Sequence, residues 1–550
     1  MAKKTALLLS AILACGAMVG SFAGCKGDEV KIDPNDPDKL EIYVYNAGYG
    51  YQWAEDILAS FVQEPWVQEK YPGIENKSRV EHDEVGNRAV ELLMASKNVN
   101  HFDIIMGSGL EGKLGPDSKA LNLTEKVYNS TVPEEDGVLY KDKLLDSYLT
   151  SAMYRGKGDT TGEAQYYQAN WASGMTGVMY NETKLKALGF EVPNTTDEFL
   201  YIMNEVKKGT HDKSIYADTT SFATYGASTY VTYLFYTWWA QYQTSDGYID
   251  FFDGIDRESE SRSSAIFRQE GIYESLSVLE NVLQKDKKII WMNPNTGREA
   301  YRETQNKILL GEKALFMSNG DWVDSELKTL RDGLVGMGET PDTVKLMPVP
   351  VISAIREKTP TITSDEMLSA VISAIDAGAT KYAGVDEDDF NIIKEAREVV
   401  YSIGPGHNAC IPAEATGINP AIDFLRYMAT DKAQDLYIKA TNGATLPFKY
   451  DLKSKNPTLY GNISALYQGV IDHFNTQEVN ILPAQSSFPL VRYGGLSVFA
   501  SGSPLEDFTS GKSKGSYSSV AEMCWEREYK YWSENNNAVW NNCLRQAGMQ

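Results

Sequence analysis

Tyr166-Tyr167-Gln168-Ala169-Asn170-Trp171-Ala172-Ser173-Gly174-Met175-Thr176-Gly177-Val178-Met179-Tyr180-Asn181-Glu182-Thr183-Lys184-Leu185 is the stretch whose reading decides the fold. It reads as an extended segment, a glycine turn, a strand and a short helix. Leu188-Gly189-Phe190 closes that helix with a C-cap glycine. A new helix then opens at Thr195 or Thr196, with Asp197 and Glu198 in its first turn, where carboxylates meet the positive end of the helix dipole.

Upstream, Leu40-Glu41-Ile42-Tyr43-Val44-Tyr45 alternates like a strand and runs into Asn46-Ala47-Gly48-Tyr49-Gly50-Tyr51-Gln52-Trp53, a loop of glycines and aromatics. Ile57, Leu58, Phe61 and Val62 follow at helical spacing. Ser78-Arg79-Val80-Glu81-His82 reads as a second strand and residues 88–95 as a helix. His101-Phe102-Asp103-Ile104-Ile105-Met106 reads as a third strand, ending in Gly107-Ser108-Gly109. Strand, glycine loop, helix is the opening of an α/β unit. Ligands of open α/β sheets bind beyond the carboxyl ends of the strands, so the loops at 46–53 and 107–109 are candidate site walls. Downstream, Gly311-Glu312-Lys313-Ala314-Leu315-Phe316-Met317-Ser318-Asn319-Gly320-Asp321-Trp322 is a strand ending in an aromatic turn. Val344-Lys345-Leu346-Met347-Pro348-Val349-Pro350 is an edge-type strand, and residues 419–434 form two abutting helices before Asn442-Gly443-Ala444-Thr445-Leu446-Pro447. No internal repeat points to a solenoid.

Taken in order, these segments resemble the extracellular solute-binding proteins, family 1, of bacterial ABC importers, the group that includes the maltose-binding protein. The segments at 166–199, 311–322 and 421–447 carry the resemblance, which covers roughly residues 38 to 450. Asn170-Trp171 departs from the family pattern, which often has a proline there, and residues 351–404 and 455–550 exceed a minimal member. The resemblance implies two α/β lobes, each a mixed sheet flanked by helices, joined by crossing strands that hinge shut on a ligand. Mapped onto this chain, the crossings are expected near 167–173 and 403–413. Residues 38–168 with 405–455 form the first lobe, and 169–404 with 456–550 the second.

A sugar offers apolar faces and a rim of hydroxyls, so its binders stack aromatic rings and aim polar groups at the rim. The candidates for stacking are Trp171, Trp322 and one of Tyr49, Tyr51 or Trp53, with Trp238 and Trp239 behind them. Asn46, Ser108, Asn319 and Asp321 are the candidates for rim hydrogen bonds. The expected function is capture of an oligosaccharide and its delivery to ABC permease subunits. Two alternatives stay open: a peptide, polyamine or organic ion on the same scaffold, or a surface glycan hydrolase. Catalysis finds little support, since the five histidines give no HExxH or zinc spacing, and Gly511-Lys512-Ser513 lacks the first glycine of a P-loop. No cofactor or metal is expected. The acidic run Asp386-Glu387-Asp388-Asp389 reads as a solvated helix start.

The N-terminus places the protein. Met1-Ala2-Lys3-Lys4 precedes an apolar stretch to Gly20 and then Ser21-Phe22-Ala23-Gly24-Cys25, the layout of a secretory leader. Small residues before a cysteine resemble a lipobox, which makes residues 1–24 the signal peptide and Cys25 the lipidated first residue of the mature chain. Residues 25–37, acidic and interrupted by Pro34 and Pro37, form a flexible tether to the outer face of the membrane. The full chain carries 75 acidic against 52 basic residues, a net charge of −23, which argues against a nucleic-acid partner. A monomer is expected. Beyond Cys25 lie Cys410, Cys524 and Cys543, of which the last two are the pair to test for a disulfide.

Overall fold

The computed structural model describes residues 32–46, 48–96, 99–158, 163–208, 220–225, 230–283, 290–293, 298–309, 314–476 and 479–550. The leader, Cys25 and the first part of the tether lie outside them.

The strands of the frame are, in chain order, β1 (Leu40–Tyr45), β2 (Ser78–Asp83), β3 (Ile104–Ser108), β4 (Ala169–Asn170), β5 (Thr176–Asn181), β6 (Thr220–Tyr225), β7 (Ile290–Asn293), β8 (Ala314–Gly320), β9 (Val344–Met347) and β10 (His407–Cys410). They build two sheets. The first has the order β2-β1-β3-β10-β4 and the second β7-β6-β8-β5-β9. In the first sheet β1 runs parallel to β2 and β3, while β10 runs antiparallel to β3 and β4. In the second, β6, β7 and β8 are parallel and β5 is antiparallel to both β8 and β9. The carboxyl ends of β1 and β3 therefore lie at the same edge as the amino end of β10, and the end of β8 lies beside the start of β5.

Burial on both faces explains the composition of these strands. Leu40, Ile42 and Val44 pack on one side of β1 and Tyr43 on the other, so all are buried. Every residue of β5 and β8 is buried. Helices cover the sheets: α1 (Gln52–Phe61) presents Trp53, Ile57, Leu58 and Phe61 to the first core. In the second, α2 (Val231–Gln243) buries Trp238 and Trp239, whose Nε1 groups donate to Pro350 O at 2.9 Å and to Gln269 Oε1 at 2.8 Å. These two tryptophans, held in reserve as stacking residues, are core. The acidic run starts a helix at Glu387, and the Asp389 carboxylate accepts from Thr361 N at 2.7 Å.

The chain passes between the sheets at 171–175, from β4 to β5, and again at 401–406, ahead of β10. The two passages touch: Ile403 N donates to Gly174 O at 3.0 Å, and a Cβ on Gly174 would stand 2.5 Å from Gly404 N. Gly174 also holds a φ of +58°, so glycine is required there by both backbone angle and space. Tyr401 is clasped between Tyr233 and Tyr236 at ring distances of 5.4 and 5.1 Å.

The chain beyond residue 455 builds onto the second sheet's side. The helix α3 (Ala465–Thr476) packs on β9, and α4 (Val520–Ala547) packs on the helix Glu270–Leu283. Asn535, Asn536 and Asn537 adopt positive φ and break α4 into two arms. Cys524 and Cys543 sit on different arms, against Asp507 and the Leu490 carbonyl. Both are buried free thiols, as is Cys410, so the disulfide put forward from the sequence is not formed. Among the described residues no helix is long and apolar enough to cross a membrane.

Candidate functional site

The edges where β1 and β8 end face each other. Beyond β1, Gly48 and Tyr49 reach toward the second sheet; beyond β8, Asp321 and Trp322 reach back. The Tyr49 hydroxyl donates to Asp321 Oδ1 at 2.6 Å. A Cβ on Gly48 would lie 2.8 Å from Trp322 Cδ1 and 2.9 Å from Trp322 Cβ, so only glycine lets the indole come this close. Tyr230 and Tyr233 flank the same indole at ring distances of 5.9 and 6.4 Å.

The electrostatics of this contact follow from burial. Desolvation pushes the Asp321 carboxyl up to about 7, against the hydrogen bonds from Tyr49, Ser173 and the backbone that lower it. The phenol of Tyr49 is raised well above its ordinary range, first by burial and then by the charge of Asp321, so it stays protonated and donates.

Behind this contact lies a ladder of rings. Trp53 stacks on Trp171 at 5.4 Å and 13°, and Trp171 stacks on His407 at 4.8 Å and 30°. Both faces of Trp171 are therefore covered by protein, and its Nε1 donates to Gly107 O at 3.3 Å. Tyr49 stands edge-on to Trp171 at 6.3 Å and to His407 at 5.9 Å. Five of the residues picked from the sequence thus come together: Tyr49, Trp53, Trp171, Asp321 and Trp322. Tyr51, half-buried, turns outward and stacks on the exposed His82 at 3.4 Å and 15°. Asn46 is half-buried at the end of β1 and donates its N–H to Asp83 O at 2.7 Å. Ser108 is half-buried at the end of β3 and pairs in register with His407. Asn319 is fully buried within β8, its Oδ1 accepting from Gly320 N at 2.9 Å.

Comparison with solved structures places this arrangement. The GacH receptor of Streptomyces glaucescens, solved unliganded and with acarbose, matches with a TM-score of 0.52 at 14% identity, over 90% of this chain and 97% of its own. The chain has the two-lobed solute-binding fold. A cyclo/maltodextrin-binding protein complexed with maltotetraose matches with a TM-score of 0.52 at 12% identity, over 93% of this chain and 98% of its own. An ABC substrate-binding protein from Listeria monocytogenes in complex with cycloalternan gives 0.51 at 11% identity, over 93% and 99%. No family model and no curated protein matches the sequence.

The meeting of Tyr49 with Asp321 and of Gly48 with Trp322 joins the loop after β1 of the first sheet to the loop after β8 of the second. A second set of contacts ties Tyr154 and Arg155 to residues 492–493 of the C-terminal segment and to Asp253. Tyr154 Oη lies 3.1 Å from Tyr493 Oη, the Arg492 guanidinium sits 5.0 Å above the Tyr154 ring, and Arg155 pairs with Asp253 at 2.7 Å. Glu111, in the loop after β3, accepts from Asn408 Nδ2 at 3.2 Å, and burial pushes its carboxyl up. Neither Glu111 nor His407 was picked from the sequence. The signal for His407 was local: Gly404-Pro405-Gly406 is a turn, and the strand it opens begins with polar residues.

Proposed function

We propose that the chain is an extracytoplasmic receptor, anchored by a lipid on Cys25, that captures an oligosaccharide between its lobes and delivers it to an ABC permease. The lobes are taken as residues 38–168 with 405–455 and residues 169–404 with 456–550, closing about the passages at 171–175 and 401–406. The observation that carries this reading is the facing pair of loops after β1 and β8, which brings an indole, a phenol and a carboxylate together, buried, between the two sheets. Trp322 supplies the apolar plane for a sugar face, and Asp321, Tyr49 and Ser108 supply partners for hydroxyls. The similar structures were solved with acarbose, maltotetraose and cycloalternan, all saccharides or their analogues, which supports a carbohydrate.

Gly48 covers the Trp322 indole and the Tyr49 hydroxyl donates to Asp321. A sugar entering the cleft replaces these contacts with its own ring and hydroxyls, so closure on a ligand exchanges partners rather than creating them anew. A thermal-shift screen of the mature protein tests the reading, because a ligand bound only by the folded state raises the melting temperature by mass action. One oligosaccharide is expected to raise it, and Trp322→Ala to weaken that sugar by at least about 2 kcal/mol, roughly thirtyfold, with the fold intact. A response to peptides or polyamines with none to any glycan overturns it.

A further inference from the structure

Resting on the sugar reading, we propose that His407 is a ligand-reading residue at the floor of the cleft, its Nδ1 forming a hydrogen bond with a saccharide hydroxyl.

Topology puts it there. Because β10 runs antiparallel to β3, its first residue lies at the edge where β1 and β3 end, opposite Ser108. The turn Gly404–Gly406 delivers the chain to that edge directly from the passage between lobes. One face of the imidazole is closed by Trp171 at 4.8 Å, and Tyr49 meets it edge-on at 5.9 Å. His407 is only 7% exposed, yet its Nδ1 has no hydrogen-bond partner among the described residues. Its backbone carbonyl is satisfied by Trp171 N at 3.2 Å, so the unmet group is the side chain's alone.

A buried polar atom without a partner opposes folding, and packing of this quality around one calls for a reason. The structural alternative is a histidine kept for its shape in the Trp53–Trp171–His407 ladder. A phenyl ring would fill that role without stranding a nitrogen. Burial holds the imidazole near 4, so it is neutral at ordinary pH and offers one donor and one acceptor. A sugar hydroxyl both donates and accepts, and so matches either nitrogen state. Tyr49, which caps the ring, is the same residue that must exchange Asp321 for a ligand. A ligand that displaces Tyr49 therefore reaches the imidazole that Tyr49 meets edge-on.

The test is isothermal titration of the mature protein and of His407→Phe with maltotetraose, raffinose and a chitin oligosaccharide, together with the melting temperature of each unliganded protein. The phenyl side chain is expected to cost affinity for the sugar bound by the wild type, about tenfold or more, while leaving the unliganded melting temperature equal or higher. Equal affinity in the two proteins overturns this inference and leaves the sugar reading standing. Weaker binding accompanied by a lowered melting temperature overturns it too, unless His407→Gln, which keeps a hydrogen-bonding side chain, recovers affinity. Wild-type protein that binds none of the three sugars overturns the sugar reading for this class of glycan and this inference with it.

Discussion

Tyr49 and Asp321, separated by 272 residues, meet across the cleft in a 2.6 Å hydrogen bond that ties the loop after β1 to the loop after β8. Tyr49→Phe keeps the ring and removes the donor, leaving the Asp321 carboxyl short of a partner in a buried place. That weakens the tie between the two loops by about 1–3 kcal/mol. The expected result is a larger radius of gyration by small-angle scattering in the unliganded variant, and an unchanged radius would show that the bond does not hold the lobes.

Gly48→Ala acts by volume. The added methyl would collide with Trp322 Cβ, which cannot swing aside as a ring tip could. The direct contact between the two loops is lost, while an arrangement with a sugar between them is not. The loops are expected to move apart in the variant, and sugar affinity to hold or rise, because the contact a sugar must displace is already gone. Fluorescence transfer between dyes on the two lobes reads the opening, and weaker sugar binding would argue that Gly48 and Trp322 touch in the liganded state too.

Stability should depend on pH through opposing groups. Burial raises Asp321 from 3.8 to about 7 and Glu326 from 4.5 to about 7. A carboxyl that binds its proton more tightly when folded gives its full stabilising effect below its unfolded value, and loses it as pH rises through 7. His407 and His473 run the other way: held near 4 instead of 6.5, they favour the fold above 6.5 and cease to as pH falls through 4. Asp321→Asn removes one carboxyl and keeps an oxygen for Tyr49. It is expected to stabilise the protein by up to about 4 kcal/mol near pH 8, with no gain near pH 4. Denaturant titrations at the two pH values check this, and an equal effect at both would contradict the assignment.

Cys25→Ser tests the anchor. The variant is expected to leave the membrane fraction and appear in the soluble extracytoplasmic fraction, without labelling by radioactive palmitate. Retention at the membrane with the label intact would move the lipid to another residue, Cys15 first among them.

The elements themselves were legible, because period and punctuation are local. Alternation marked β1, the 78–82 run marked β2, and the spacing of Ile57, Leu58 and Phe61 marked α1, while β3 starts three residues later than its expected 101–106 run and continues through Gly107 and Ser108. The glycine turn before Thr176 and the aromatic turn after β8 were read where they stand. Side-chain direction was legible only in part. Trp171 belongs to the strand that enters the passage between lobes, but nothing in its neighbours tells that Trp53 and His407, 118 residues before and 236 after it, cover its two faces. Tyr49 and Tyr51 are two residues apart in the same loop, yet one turns to Asp321 and the other to His82. His407 has no signature in spacing, because its place is set by the antiparallel pairing of β10 with β3. The cysteine pair failed for a related reason: the three asparagines at positive φ that part the arms of α4 decide where Cys524 and Cys543 point.

The most direct test is a crystal structure of the mature protein with the oligosaccharide that most raises its melting temperature. The account predicts sugar density between the Gly48–Tyr51 loop and Trp322, with a ring on the indole and the Tyr49–Asp321 hydrogen bond exchanged for bonds to the ligand. Density elsewhere, such as the surface cavity between Tyr273 and Lys512, with the Tyr49–Asp321 bond intact, would contradict it.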